Sequence, residues 1–209
     1  MPIWGVEQAA SRLRRGRRQL NHAKYLHGID SQFHGEAEAK ARTALATLRS
    51  AMDWLEGTDQ FDAAHQALDD AGSWVCRTFK CRLEQRGESY FQSCPVALAH
   101  NRIGFSAVCT EDRVECSICG QDPEDCDHIS GQEHDGKRCQ QVVRQGEIIG
   151  VGLVGLPRMP DARLPSARVS TEQLQAQLGG QGWCVGMPVR CSRCLLPCDG
   201  VTTHPGLGH

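Results

Sequence analysis

The chain has 209 residues, 40% hydrophobic and 23% charged, with a net charge of −2, which points to one large or two small globular domains and excludes a disordered polyelectrolyte. No stretch approaches the roughly 20 apolar residues needed to span a bilayer, so no membrane association is expected. Aromatics are only 5%, and the 22 glycines and 9 prolines concentrate after residue 87, so the second half has little to bury and needs a staple.

The first 87 residues read as helices. Val6, Ala9, Leu13, Leu20 and Ala23 keep a rough helical spacing across residues 6 to 26, which Gly16 interrupts at about 1 kcal/mol against alanine. Ala37, Ala41, Leu45, Leu48, Met52 and Leu55 make one apolar stripe and predict a helix over 35–56. Gly57 sits where a helix end wants positive φ, and Thr58 and Asp59 are N-cap candidates. Phe61, Ala64, Leu68, Ala71, Val75, Phe79 and Leu83 continue the period and predict a third helix over 59–86. A tight turn between two long helices implies a helical hairpin with the first helix alongside, a three-helix bundle.

Beyond Gly87 the pattern shifts to short apolar runs between turns. Val96–Ala99, Phe105–Cys109, Gln141–Val143 and Ile148–Val154 read as strands. Ser170-Thr171-Glu172-Gln173 fits a capping box opening a short helix over 170–178. The expected organisation is therefore α+β: a helical domain over 1–87, a small loop-rich zinc-stapled β domain over 88–200, and a flexible tail over 201–209.

Charge is unevenly spread. Arg12, Arg14, Arg15, Arg17, Arg18 and Lys24 face no acid between residues 11 and 24, whereas residues 111 to 135 carry nine acids against a single arginine, Arg113. The arginine run is a candidate surface for phosphates or for an acidic protein partner. No aromatics interleave with it, so base stacking is not indicated.

The 12 cysteines carry the chemistry. The N-terminus, MPIWGVEQAASRLRRGRRQL, lacks the apolar run of a secretory signal, so a cytoplasmic protein with thiols or metal ligands is expected rather than disulfides. Cys116-Ser-Ile-Cys119-Gly120 has the two-residue gap of a zinc knuckle, the glycine relieving the tight turn. Cys126 and His128 complete four ligands, with Cys139 and His134 in reserve. Cys184, Cys191, Cys194 and Cys198 form a second candidate set around Cys191-Ser-Arg-Cys194, with His204 in reserve. About two structural Zn2+ ions are expected on the four-ligand rule. The alternative partition takes Cys116, Cys119, Cys191 and Cys194 as one ribbon across a long insertion and leaves Cys126, His128, Cys139 and Cys198 for a second metal or for none. Cys76, Cys81, Cys94 and Cys109 stand alone and read as small apolar residues.

Two short stretches resemble known families. Cys116-x-x-Cys119 followed by Asp127-His128-Ile129 resembles HNH nucleases over about 15 residues, which implies that His128 activates water beside a divalent metal. The later asparagine and histidine of that pattern have no counterpart here, and a zinc-ligating His128 could not act as a base. Ile148–Arg163 is similar to a strand-and-proline segment of phage head-maturation proteases, and His100-Asn101-Arg102-Ile103-Gly104 resembles their histidine motif. Ser106 is a nucleophile candidate only by position, and two ordinary strands explain the segments as well. No set of residues assembles a nucleophile, a base and an oxyanion site, and no small-molecule substrate is indicated. The expected function is a non-catalytic adaptor or subunit of a protein assembly. Nucleic-acid binding through the basic helix is the second reading and an HNH-like nuclease the third.

Overall fold

The computed structural model describes residues 5–157, 159–196, 198 and 200–201. The fold is α+β, with N-terminal helices followed by small antiparallel sheets in a region rich in cysteine and histidine. Among the described residues no helix is long and apolar enough to cross a membrane.

Two compact units emerge: one comprises residues 1–104 and 154–209, the other Phe105–Leu153. The composition break at Gly87 is therefore not where compactness divides the chain. The cysteine-rich middle is an insertion, and the residues after it return to the helical unit.

In the helical unit, α1 (Val6–Ile29) and α2 (His34–Trp54) pack along their length, and α3 (Phe61–Phe79) packs on α2. The stripe read from the sequence is buried: Ala37 is fully covered, and Ala41, Leu45, Leu48, Met52 and Leu55 join Leu13, Leu20, Leu68 and Val75 in one core. Gly57 takes φ +75° at the turn between α2 and α3. Gly16 does not break α1. A Cβ there would lie 2.8 Å from Leu48 Cγ and Cδ2, so glycine lets the two helices approach. Gly16→Ala is accordingly expected to destabilise by about 1–3 kcal/mol through overpacking, although alanine is the better helix former. Urea unfolding followed at 222 nm checks the sign.

The third helix is shorter than its periodicity. It ends at Phe79, and Lys80 turns the chain at φ 58°. The next residues are claimed by the C-terminal segment: Cys191 N donates to Cys81 O at 2.9 Å and Leu83 N to Val189 O at 2.9 Å. Leu83 thus keeps its place against the core in extended backbone, a tertiary pairing that overrides helical spacing. Val96–Ala99 is not a strand but part of α4 (Pro95–Ala99), opened by a proline whose missing N–H costs nothing at a first turn. Its Val96 sits where a Cβ on Gly72 of α3 would come within 2.5 Å.

A second small core joins β1 (Glu84–Arg86), β2 (Ser89–Gln92), β9 (Ala167–Val169) and α5 (Thr171–Leu178). Tyr90, Leu174, Trp183 and Val189 are buried together. Tyr90 Oη donates to Met187 O at 2.9 Å and accepts from Gly186 N at 2.8 Å. Ser170 Oγ caps α5 by accepting from Gln173 N at 3.2 Å, as its sequence signature requires.

The Phe105–Leu153 unit is built differently. It holds strand pairs β4 (Arg113–Cys116) with β7 (Gln141–Gln145) and β5 (Glu133–His134) with β6 (Lys137–Arg138), and most of β3 (Gly104–Cys109) and β8 (Ile148–Val154). Only two of its residues are buried, Cys116 and Cys139. No apolar cluster organises it.

Candidate metal centres

β4 delivers Cys116 into a tight turn that brings Cys119 back beside it. Gly120 N donates to Cys116 O at 2.8 Å with Gly120 at φ +74°, and Ile118 N points at Cys116 Sγ at 3.4 Å. These are the backbone contacts of a knuckle, in which amides converge on a thiolate. Hydrogen bonds from the Cys119 and Ile118 amides, outweighing burial, pull the Cys116 thiol down to about 6, which favours its thiolate form. Ser117 ties the turn to Gln140, the residue before β7, its N donating to Gln140 O and its Oγ accepting from Gln140 N, each at 2.9 Å.

The loop that follows closes on the same point. A short 3-10 turn (Pro123–Asp125), with Asp122 Oδ1 accepting from Glu124 N, turns the chain inward. Cys116, Cys119, Cys126 and His128 then present ligand atoms that all lie within 4.8 Å of one another. Cys139 is a fifth donor, its Sγ 3.7 Å from that of Cys116. Two sulfurs on one tetrahedral zinc stand about 3.8 Å apart when Zn–S is about 2.3 Å. His134 stays outside the group; its ring meets that of His128 edge-on at 4.8 Å. His128 Nδ1 and His134 Nε2 are buried without hydrogen-bond partners. Buried polar atoms are rarely left so, and here they stand beside converging thiols.

The second sequence set does not assemble among the described residues. Cys184 is exposed. Cys191 is buried in the helical core with Cys76 and Cys81. Cys194 lies along α3, its Sγ donating to Gly72 O at 3.4 Å while Ser73 Oγ donates to Cys194 O at 2.6 Å. Burial pushes the Cys81 thiol up to about 11, with Cys94 and Cys76 adding to it, so Cys81 is a protonated core residue. Cys94 is half-buried against the same core, and Cys109 is exposed on β3. His204 lies outside the described residues.

Cys198 instead meets three residues that the sequence did not single out together. His65 and Asp69 stand one turn apart on α3, and His100 follows α4. With Cys198 they form the second candidate group, all ligand atoms within 4.8 Å. His65 Nε2 is 3.3 Å from His100 Nε2 and 3.2 Å from Asp69 Oδ2, and Cys198 Sγ is 3.1 Å from His100 Nε2. The His-x3-Asp spacing on α3 was visible in the sequence, but nothing in spacing links it to His100 and Cys198, in two later segments of the chain.

The arginines divide. Arg12 turns inward, its Nη1 3.4 Å from Asp161 Oδ2 and its guanidinium 5.0 Å from the Trp54 ring centroid. Arg14, Arg15, Arg17 and Arg18 are exposed, with no ion pair among the described residues. Of the nine acids between residues 111 and 135 eight are exposed; the ninth, Glu115, is paired with Arg113 and Arg144.

No protein-family model, curated protein or solved structure matches the chain.

Proposed function

We propose that the chain is a zinc-stapled, non-catalytic adaptor, a subunit of a larger protein assembly. The observation that carries this reading is the composition of the inserted unit's interior: its two buried residues are both cysteines, and they belong to a convergence of thiols and imidazole. Thiolate and imidazole donors at this spacing suit zinc. Cys116, Cys119, Cys126 and His128 leave no position for water, so the ion is structural rather than catalytic. The same assignment spends His128 on the metal, leaving it unable to serve as the base that the nuclease resemblance implies. Cys139 competes for the place of His128. Cobalt substitution separates the two sets by the intensity of the sulfur-to-metal charge-transfer band, three thiolates with His128 or four with Cys139.

An adaptor needs surfaces, and two are present. Ile148, Ile149, Val151 and Leu153 of β8 are exposed apolar side chains in one short stretch. Such patches mark interaction sites on soluble proteins. The acidic insertion and the exposed arginines of α1 give charge patches of opposite sign, which steer protein partners.

Nucleic-acid binding is the second reading, favoured by the four exposed arginines. Retention on immobilised duplex DNA across a salt series decides between them. The adaptor reading expects no steep salt-dependent retention, and the Arg14/Arg15/Arg17/Arg18→Gln variant to behave as wild type. A log–log salt slope of roughly −3 to −4 that the variant abolishes, about 0.9 per phosphate contact, would overturn it.

A further inference from the structure

We propose that His65, Asp69, His100 and Cys198 form a second, closed zinc-type metal site that clasps the chain beyond residue 194 to α3 and α4. The site lies in the helical unit and uses none of the ligands discussed for the insertion, so it goes beyond the adaptor reading.

Its ligand atoms lie within 4.8 Å of one another, as four donors around one small ion do. Two nitrogens on a zinc at about 2.0–2.1 Å stand about 3.3 Å apart, and a nitrogen and a sulfur about 3.5 Å apart. His65 and His100 Nε2 are separated by 3.3 Å, and Cys198 Sγ lies 3.6 Å from His65 Nε2 and, closer than a bound ion would hold it, 3.1 Å from His100 Nε2. The tautomer is set from behind: His100 Nδ1 lies 2.8 Å from Val96 O, so the proton sits on Nδ1 and the Nε2 lone pair faces the cluster. Asp69 Oδ1 is buried, 3.6 Å from His100 Nε2, with no hydrogen bond of ordinary length. Four acceptor atoms thus converge on one point, an arrangement that a divalent ion satisfies directly.

The donors also select the ion. Two imidazoles, a thiolate and a carboxylate suit zinc, whereas magnesium and calcium prefer oxygen alone. An entry path exists, since Asp69, His100 and Cys198 line a cleft of about 330 Å3 with Gln66 and Arg193. Four protein ligands fill the coordination sphere, so the ion's role is to fix Cys198 on the helices. The segment before it is already tied there by Ser73 and Gly72.

The test is the metal-to-protein ratio of purified full-length wild type, His65→Ala, Asp69→Asn and Cys119→Ser, measured by mass spectrometry of zinc with helical circular dichroism as the fold control. Wild type is expected to hold two equivalents, one for each group. His65→Ala and Asp69→Asn should each lose one, and Cys119→Ser the other. Cys198 is exposed, and its alkylation in wild type should be blocked until a chelator is added. A ratio unchanged by His65→Ala, with Cys198 alkylated equally fast with and without chelator, overturns the proposal. Metal lost only on Cys119→Ser also overturns it while leaving the zinc-stapled insertion intact; metal lost only on His65→Ala does the reverse.

Discussion

Cys119→Ser is expected to unfold Phe105–Leu153 and leave the helices standing. Cys119 is exposed, so serine there removes no packing, and any loss of structure reports a lost ligand. A structural zinc supplies roughly 10 kcal/mol or more of apparent folding energy at neutral pH. A whole domain is stable by only about 5–15 kcal/mol. The insertion has no other large term to draw on. Val108, Ile129, Val143, Ile148, Ile149, Val151 and Leu153 are exposed, Phe105, Val114, Ile118 and Val142 are only half-buried, and area still in contact with water contributes nothing to folding. The helical unit, by contrast, buries Leu45, Leu48, Met52, Leu55 and Leu68 almost completely and needs no ion to do so. In a two-dimensional amide NMR spectrum, signals from residues 105–153 should collapse to random-coil positions in the variant, and likewise in wild type after chelation. The helical signals should persist in both. Dispersed 105–153 signals after complete metal removal would mean that backbone pairing alone holds the unit.

That contrast explains which parts of the fold were legible in the sequence. The helical core was readable because its signal is periodic: the stripe from Ala37 to Leu55 recurs every three or four residues and is buried as one face. The convergence of Cys116, Cys119, Cys126 and His128 was readable because these candidate ligands fall within one short stretch, 116–128, so that spacing stands in for geometry. A further local signal was present but not used. Asp135-Gly136, both at positive φ, form the tight turn that pairs His134 with Lys137.

What the sequence did not yield was non-local. Leu83 continues the period of α3, yet Val189 takes its amide, and no rule of spacing reports a partner a hundred residues on. Cys191-x-x-Cys194 has the same gap as Cys116-x-x-Cys119 but a different setting. One pair lies in a stretch with no apolar core, the other against α3 beside Val75, Cys76 and Val96, where a sulfur can be buried as a small apolar group. A CxxC pair therefore states that two thiols are close, and the neighbourhood decides what they do. The grouping of His65, Asp69, His100 and Cys198 is non-local in the same way, since a cluster drawn from three separate segments has no linear motif.

Arg102→Ala is expected to cost about 3–5 kcal/mol, the range for breaking a buried ion pair by removing one partner. Arg102 and Asp53 are each only 3% exposed, joined Nη1 to Oδ1 at 2.5 Å. Arg102 Nη2 reaches Glu56 Oε2 at 2.6 Å, and Arg163 Nη2 pairs with the same oxygen. Arg163 Nη1 donates to Arg102 O and, at 2.7 Å, to Gly155 O. The network therefore fastens the end of α2 to the residues just before the insertion and just after it. Burial pushes the Asp53 carboxyl up while Arg102, Arg49 and Arg163 pull it down, the mark of a charge costly to leave alone. Without Arg102, Asp53 keeps only Arg49 at 3.7 Å and Arg163 at 4.0 Å. Asp53→Asn should cost less, because Arg102 retains Glu56 and no buried charge is stranded. In the double variant the two losses should fall short of their sum, since the pair is one interaction. Urea denaturation of the four proteins measures this directly. A cost below about 1 kcal/mol for Arg102→Ala, within the range of exposed ion pairs, would show that the network does not anchor the ends of the insertion.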